Sequence, residues 1–183
     1  MYDSDAEGTQ PSPPASLEAG LTFEDVYASL ADAVYRYCRS QLRDPDLAEE
    51  AAAEALAHAC QAFPRNRPEP SWVRAWLFRI AHNAVADQAR RAARRRALMG
   101  RLLMRPTPGI DVESAVDVRD DLRTTLSAMA RLPERDRAIV AMRATAGLGY
   151  GEIAEILGMT EEAARVAGHR AIKRLRTAVQ GHD

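Results

Sequence analysis

The side chains best equipped to bind something are arginines and two tryptophans, and they cluster. Trp72 and Trp76 follow the proline-rich stretch 64–70, which carries Arg65, Asn66 and Arg67. Aromatic faces beside guanidinium groups are what holding single-stranded nucleic acid requires: the faces stack bases and the charges track the backbone. Trp72 stands at a helix start and is the better platform, whereas Trp76 lies on an apolar stripe and reads more readily as core. Arg79, Asn83 and Asp87 then recur every fourth residue, and the run Arg90, Arg91, Arg94, Arg95 and Arg96 follows. Asn83 can both donate to and accept from a base edge. Asp87 among arginines reads equally as a structural ion pair.

A second constellation lies near the C-terminus, in residues 150–165. A helix-turn-helix needs a small residue where its helices cross, a residue tolerant of positive φ at the turn, and a cap for the second helix. Ala154, Gly158 and Thr160 meet these needs, with Ile153, Leu157 and Met159 as core. The second helix, about 160–177, then exposes Arg165, His169, Arg170, Lys173 and Arg174. Its leading residues would enter a major groove and its later bases reach phosphates. Arg165 is expected to read bases and Lys173 to contact backbone. Glu161 and Glu162 oppose phosphate binding at the helix start; they could accept from cytosine amino groups or simply favour the helix dipole. An αα-hairpin with a solvated basic face is the plainer alternative.

Charge follows the same division. Residues 1–60 hold twelve acids against three bases, residues 61–110 eleven bases against two acids, residues 111–162 eleven acids against six bases, and residues 163–183 five bases against one acid. A formal net charge of −1 thus conceals two basic blocks, as expected for two polyanion-facing surfaces. With one lysine beside 24 arginines, arginine enrichment alone says little. No phosphate-binding glycine loop, catalytic triad or metal-ligand cluster appears. His58 and Cys60, two apart on a helix, face different sides. The expectation is a binding protein with no catalytic residue, cofactor or metal. No run of about 18 apolar residues suggests a membrane span, and no leader precedes the fold. Two cysteines outside any CxxC pair suit a reduced cytoplasm.

The elements that must position these groups are helices. Residues 1–20 read as a disordered tail. Phe23, Val26, Tyr27, Leu30, Val34, Cys38 and Leu42 form one amphipathic stripe. Asp44 and Pro45 start a second helix running to about Phe63, with Ala52, Leu56, Ala59 and Phe63 inward. Residues 64–70 are expected to be loop, because three prolines interrupt them. Ser71 can cap a third helix, with Val73, Trp76, Leu77, Ile80, Ala84 and Val85 buried. Gly100, Pro106, Pro108 and Gly109 mark a linker. Val118, Leu122, Leu126, Met129 and Leu132 suggest a further helix, and Pro133 starts the next.

These segments, in this order, resemble the extracytoplasmic-function sigma factors of the sigma-70 family. Residues 76–91, from Trp76-Leu-Phe-Arg-Ile-Ala-His-Asn to Asp87 and the following basic residues, look like the region 2 pattern. Leu132-Pro133, Arg137, Tyr150, Glu152-Ile-Ala-Glu, Leu157-Gly158 and Arg170-Ala171 look like region 4. The resemblance implies an all-α chain of two small helical domains, a region 2 helical bundle at 21–97 and a region 4 helix-turn-helix at 115–178. A flexible linker at 98–114 would join them, with tails at 1–20 and 179–183. It implies that Glu49, Glu50, Ala53 and Glu54 dock on the RNA polymerase core, at its β and β′ subunits. Arg65, Asn66, Arg67, Trp72, Arg79, Asn83, Asp87, Arg90 and Arg91 would meet the −10 element as it melts. Thr160, Glu161, Arg165, His169, Arg170, Lys173 and Arg174 would meet the −35 element. Promoter DNA, the polymerase core and an anti-sigma factor are the implied partners. The sequence departs from the family pattern at Ala53, where Gln is usual, at Ala164, where Val is usual, and at Gly168, where Leu is usual. A helix-turn-helix repressor or activator that never binds polymerase is the alternative.

Overall fold

The structure, a computed structural model, describes residues 21–102 and 125–180. Helices α1 (Phe23–Gln41), α2 (Pro45–Asn66) and α3 (Val73–Leu102) form a first unit. A second comprises α4 (125–130), α5 (Glu134–Ala146), α6 (Tyr150–Leu157) and α7 (Glu161–Gln180). No strand occurs among the described residues, so the fold is all-α. The expected tail 1–20 lies outside the described residues. So does most of the expected linker, because α3 continues to Leu102.

Local chemistry sets the helix ends. Thr22 and Asp25 make a reciprocal capping box on α1, which holds the Asp25 carboxyl below its ordinary pKa through its bonds from Thr22. Asp44 Oδ1 accepts from the N–H groups of Asp46 and Leu47 at 2.9 and 3.3 Å, with Pro45 behind it, as the sequence suggests. α2 runs to Asn66, past the expected stop at Phe63. Pro64 sits in its last turns, and the edge-to-face contacts of Phe63 with Phe23 and Trp76 hold that end down. Ser71 falls in a turn, residues 70–72, in which Glu69 carbonyl accepts from Trp72 and Val73.

Packing in the first unit is close because α2 turns a stripe of alanines inward. Ala48, Ala51, Ala52, Ala55 and Ala59 are all buried between α1 and α3. Tyr27, placed inward by periodicity, is exposed, whereas Tyr37 is fully buried against Phe78. The reason is that α1 is covered on more than one side, packing against α2, α3 and α5. Likewise α3 packs on α1, α2 and α6, so Phe78 and Ala81 are buried beyond the expected stripe.

The two units share one apolar cluster, from Val34 and Phe78 to Leu132, Ile139 and Ile153. Each large side chain withdrawn from water there contributes about 1.5–3 kcal/mol. Polar contacts line the seam. Arg137 Nε donates to Gln41 at 3.4 Å, and Arg74 donates to the Ala146 carbonyl at 3.4 Å. Within the first unit, the Tyr37 hydroxyl lies 2.9 Å from His82 Nδ1. Burial pushes the Cys38 thiol up to about 12 and depresses the His82 imidazole, against the opposing pull of Glu134.

Candidate nucleic-acid interface

The first basic surface is built where α2 gives way to α3. Arg65, Asn66 and Arg67 are exposed there, and Arg67 ends α2 in the left-handed region at φ 37°, donating its N–H to the Phe63 carbonyl at 2.9 Å. Five residues on, Trp72 is half-buried against the core and opens α3, its carbonyl accepting from Trp76 at 3.0 Å. Trp76 is also half-buried, in T-shaped contact with Phe63 at 6.0 Å. The ambiguity about Trp76 thus resolves toward packing, and Trp72, also half-buried, follows the exposed arginines in the chain.

Arg79 and Asn83 are exposed on the next turns of α3 and Asp87 is half-buried. Arg79 faces Glu155 of α6 at 3.7 Å, and Asp87 pairs with Arg90. Arg91, expected among DNA contacts, makes a two-pronged ion pair with Glu54 of α2, at 2.7 and 3.2 Å. That bond and the charge of Glu54 raise the Arg91 pKa. Gln88 is buried and donates to Glu50 at 3.1 Å. Two of the acidic side chains on α2 are therefore set by α3, while Glu49 and Ala53 stand exposed beside them. Arg95 and Arg96 line an open groove with Arg43 at the α1–α2 turn.

The second surface is the α6–α7 pair. Gly158 adopts φ 62°, as the turn demands, and Ala154 carbonyl accepts from both Gly158 and Met159. Thr160 Oγ1 accepts from Ala163 N–H at 3.2 Å, capping α7. Ala164, Ala167 and Ala171 face inward, and Ala154 is buried at the crossing. Arg165, His169, Arg170, Lys173 and Arg174 are all exposed, as the sequence suggests. Glu161 pairs with Arg165. Arg170 and Arg174 approach Asp136 of α5 at 3.4 and 3.7 Å; its carboxylate is buried.

Two of the departures from the family pattern, Gly168 and Ala164, fall at close contacts of α7. A Cβ on Gly168 would lie 2.8 Å from Tyr150 Cε1 and 3.2 Å from Ile139 Cγ2. Tyr150 fills the space a side chain at 168 would need. Its ring is capped by Arg143, whose guanidinium carbon lies 4.4 Å from the ring centroid, and flanked by His169 at 6.0 Å. Ala164 is fully buried, so a small residue there lets α7 approach its neighbours.

Sequence reasoning missed Asp136 and Gln88, polar residues hidden on apolar faces, the half-buried His82, and Val166, an apolar residue exposed on α7. The i+4 spacing of Arg170 and Arg174 gave a hint of a shared partner, but its identity is a tertiary fact.

Two family models match the chain: sigma-70 region 2 over residues 26–95, and sigma-70 region 4 over residues 122–175. The chain is 32% identical over 165 residues to the ECF RNA polymerase sigma factor ShbA of Streptomyces griseus, covering 85% of this chain and 86% of that protein. It is 30% identical over 166 residues to the ECF RNA polymerase sigma factor SigL of Mycobacterium tuberculosis, covering 91% and 93%. The fold is similar to the sigma factor RpoE of Bartonella quintana, solved with the anti-sigma factor NepR. That match has a TM-score of 0.70 at 21% identity and covers 86% of this chain and 96% of that one.

Proposed function

The chain belongs to the extracytoplasmic-function RNA polymerase sigma factors of the sigma-70 family, and from that premise we propose which of its surfaces does what. As a sigma factor it directs promoter recognition and transcription initiation. The exposed face of α2, with Glu49, Glu50, Ala53 and Glu54, docks on the β and β′ subunits of the core. The corner of Arg65, Asn66, Arg67 and Trp72 holds −10 bases as the duplex melts, and Arg79, Asn83, Asp87 and Arg90 continue that track along α3. Arg91 reaches DNA only by leaving Glu54, so its first part is to orient the docking face. The α7 helix enters the −35 major groove, Thr160 and Glu161 at its start, with Arg165 and His169 toward bases and Arg170, Lys173 and Arg174 toward backbone.

The observation that carries this reading is the pairing of two surfaces on one chain: a capped helix-turn-helix with a basic outer face, and an arginine–tryptophan corner suited to unpaired bases. The chain works by binding rather than as an enzyme, in the cytoplasm; among the described residues no helix is long and apolar enough to cross a membrane. An anti-sigma factor is proposed as its regulator, in keeping with the complex of RpoE with NepR.

Run-off transcription tests the proposal, using polymerase core, genomic DNA fragments and the purified chain. Discrete transcripts that vanish without the chain are expected. Gel-shift binding without transcripts or core association would overturn the polymerase assignment in favour of a repressor or activator.

A further inference from the structure

The outer face of α7 has two fixed edges and an unexplained centre. Its inner stripe is Ala164, Ala167, Gly168 and Ala171. At 100° per residue the opposite line runs through Glu162, Val166, His169 and Lys173. Arg165 stands on one edge, held by Glu161, whose carboxylate also lies beside Gly151 of α6. Arg170 and Arg174 stand on the other, drawn to the buried Asp136. Between them Val166 is 59% exposed. It covers no core, and a β-branched side chain lowers helix propensity, so folding gives no reason for it.

The C5 methyl of thymine is the one apolar group that a base presents on its major-groove edge. An isopropyl group at the centre of a helix face whose edges carry charge is matched to that group. We propose that Val166 is a specificity-determining residue that selects thymine at one position of the −35 element through its methyl group. The inference rests on α7 being the −35 recognition helix, and adds a base to that reading.

The test uses holoenzyme reconstituted from core and full-length chain, on a duplex spanning the −35 element of a promoter mapped by run-off. Each thymine is replaced in turn by uracil, which deletes only the methyl. Burial of one methyl corresponds to roughly fourfold in affinity. One uracil is therefore expected to weaken wild-type binding by about fourfold. Val166→Ala is expected to weaken thymine binding by a similar factor and to ignore that uracil, with its thermal midpoint unchanged or raised. Equal binding of uracil and thymine duplexes at every position, or a Val166→Ala protein that keeps full methyl sensitivity, would overturn the proposal. Lys173→Ala separates the two levels. If it lowers affinity while no methyl matters, Val166 alone is misassigned; if it changes nothing, the recognition-helix reading falls and this inference with it.

Discussion

Arg67 closes α2 at φ 37° and ψ 62°, a region in which a residue bearing a Cβ is strained by about 1 kcal/mol or more. Glycine would relieve that strain but would enlarge the freedom of the unfolded chain, offsetting part of the gain. Arg67→Gly is therefore expected to leave stability to urea unchanged or raise it by about 0.5 kcal/mol. If the guanidinium meets unpaired −10 bases, the same change weakens binding of a single-stranded −10 oligonucleotide by the holoenzyme. A variant that loses stability and binding together would mean that Arg67 is structural. Asp136 offers the converse case. It is 4% exposed and serves Arg170 and Arg174 from below. Asp136→Asn keeps the shape, removes the charge and is expected to cost about 1 kcal/mol in denaturant unfolding. The exposed bases on α7 were legible from helical spacing; Asp136, which fixes two of them, was not, because a carboxylate on a buried face gives no signal until its partners are known.

Whole elements explain why unusual residues are tolerated. Ala53, where the family pattern has Gln, is exposed on α2, whereas its neighbours Ala51 and Ala52 are buried. They set the spacing between α1, α2 and α3. Ala55→Leu, at a fully buried site, is expected to destabilise the chain by about 1–3 kcal/mol through overpacking, read as a lower thermal midpoint. Ala53→Gln, which restores the common family residue on the open face, is expected to leave that midpoint unchanged and alter core affinity alone. Helix starts at Thr22 and Asp44 and the turn at Gly158 follow from capping and backbone chemistry that a sequence displays. The continuation of α2 through Pro64 does not, since it depends on Phe63 finding both Phe23 and Trp76. The inward turn of Tyr37 and outward turn of Tyr27 likewise depend on α5 lying against α1.

At the scale of the molecule, one apolar cluster joins both units, so they are expected to unfold together. Trp72 and Trp76 both belong to the first unit, and helicity reports both units. Fluorescence and far-ultraviolet dichroism should give superimposable melting curves, and separate transitions would show that the units unfold independently. His82 adds a pH dependence at the seam. Its pKa is lowered in the folded state, mainly by burial, with Glu134 opposing; Tyr37 and Arg137 are the other ionisable groups nearby. The folded state therefore binds fewer protons there than the unfolded chain. Stability should be fully present above the ordinary value of 6.5 and fall as the pH drops below it. The thermal midpoint is expected to decline from pH 7.5 to about 5.5, and His82→Gln should flatten that decline. Composition could announce two basic surfaces, but not a half-buried histidine held by Tyr37, because that contact joins helices 45 residues apart.

Gly168 and Tyr150 occupy one space between them. A side chain at 168 would meet the far end of that ring, a flexible group that can swing aside. Family members that pair a tyrosine at 150 with a leucine at 168 must therefore seat the ring elsewhere. The residue at 168 thus sets where the ring lies, and with it the Arg143 and His169 side chains packed against it. A glycine in α7 in this way adjusts the outer face of the same helix without touching that face.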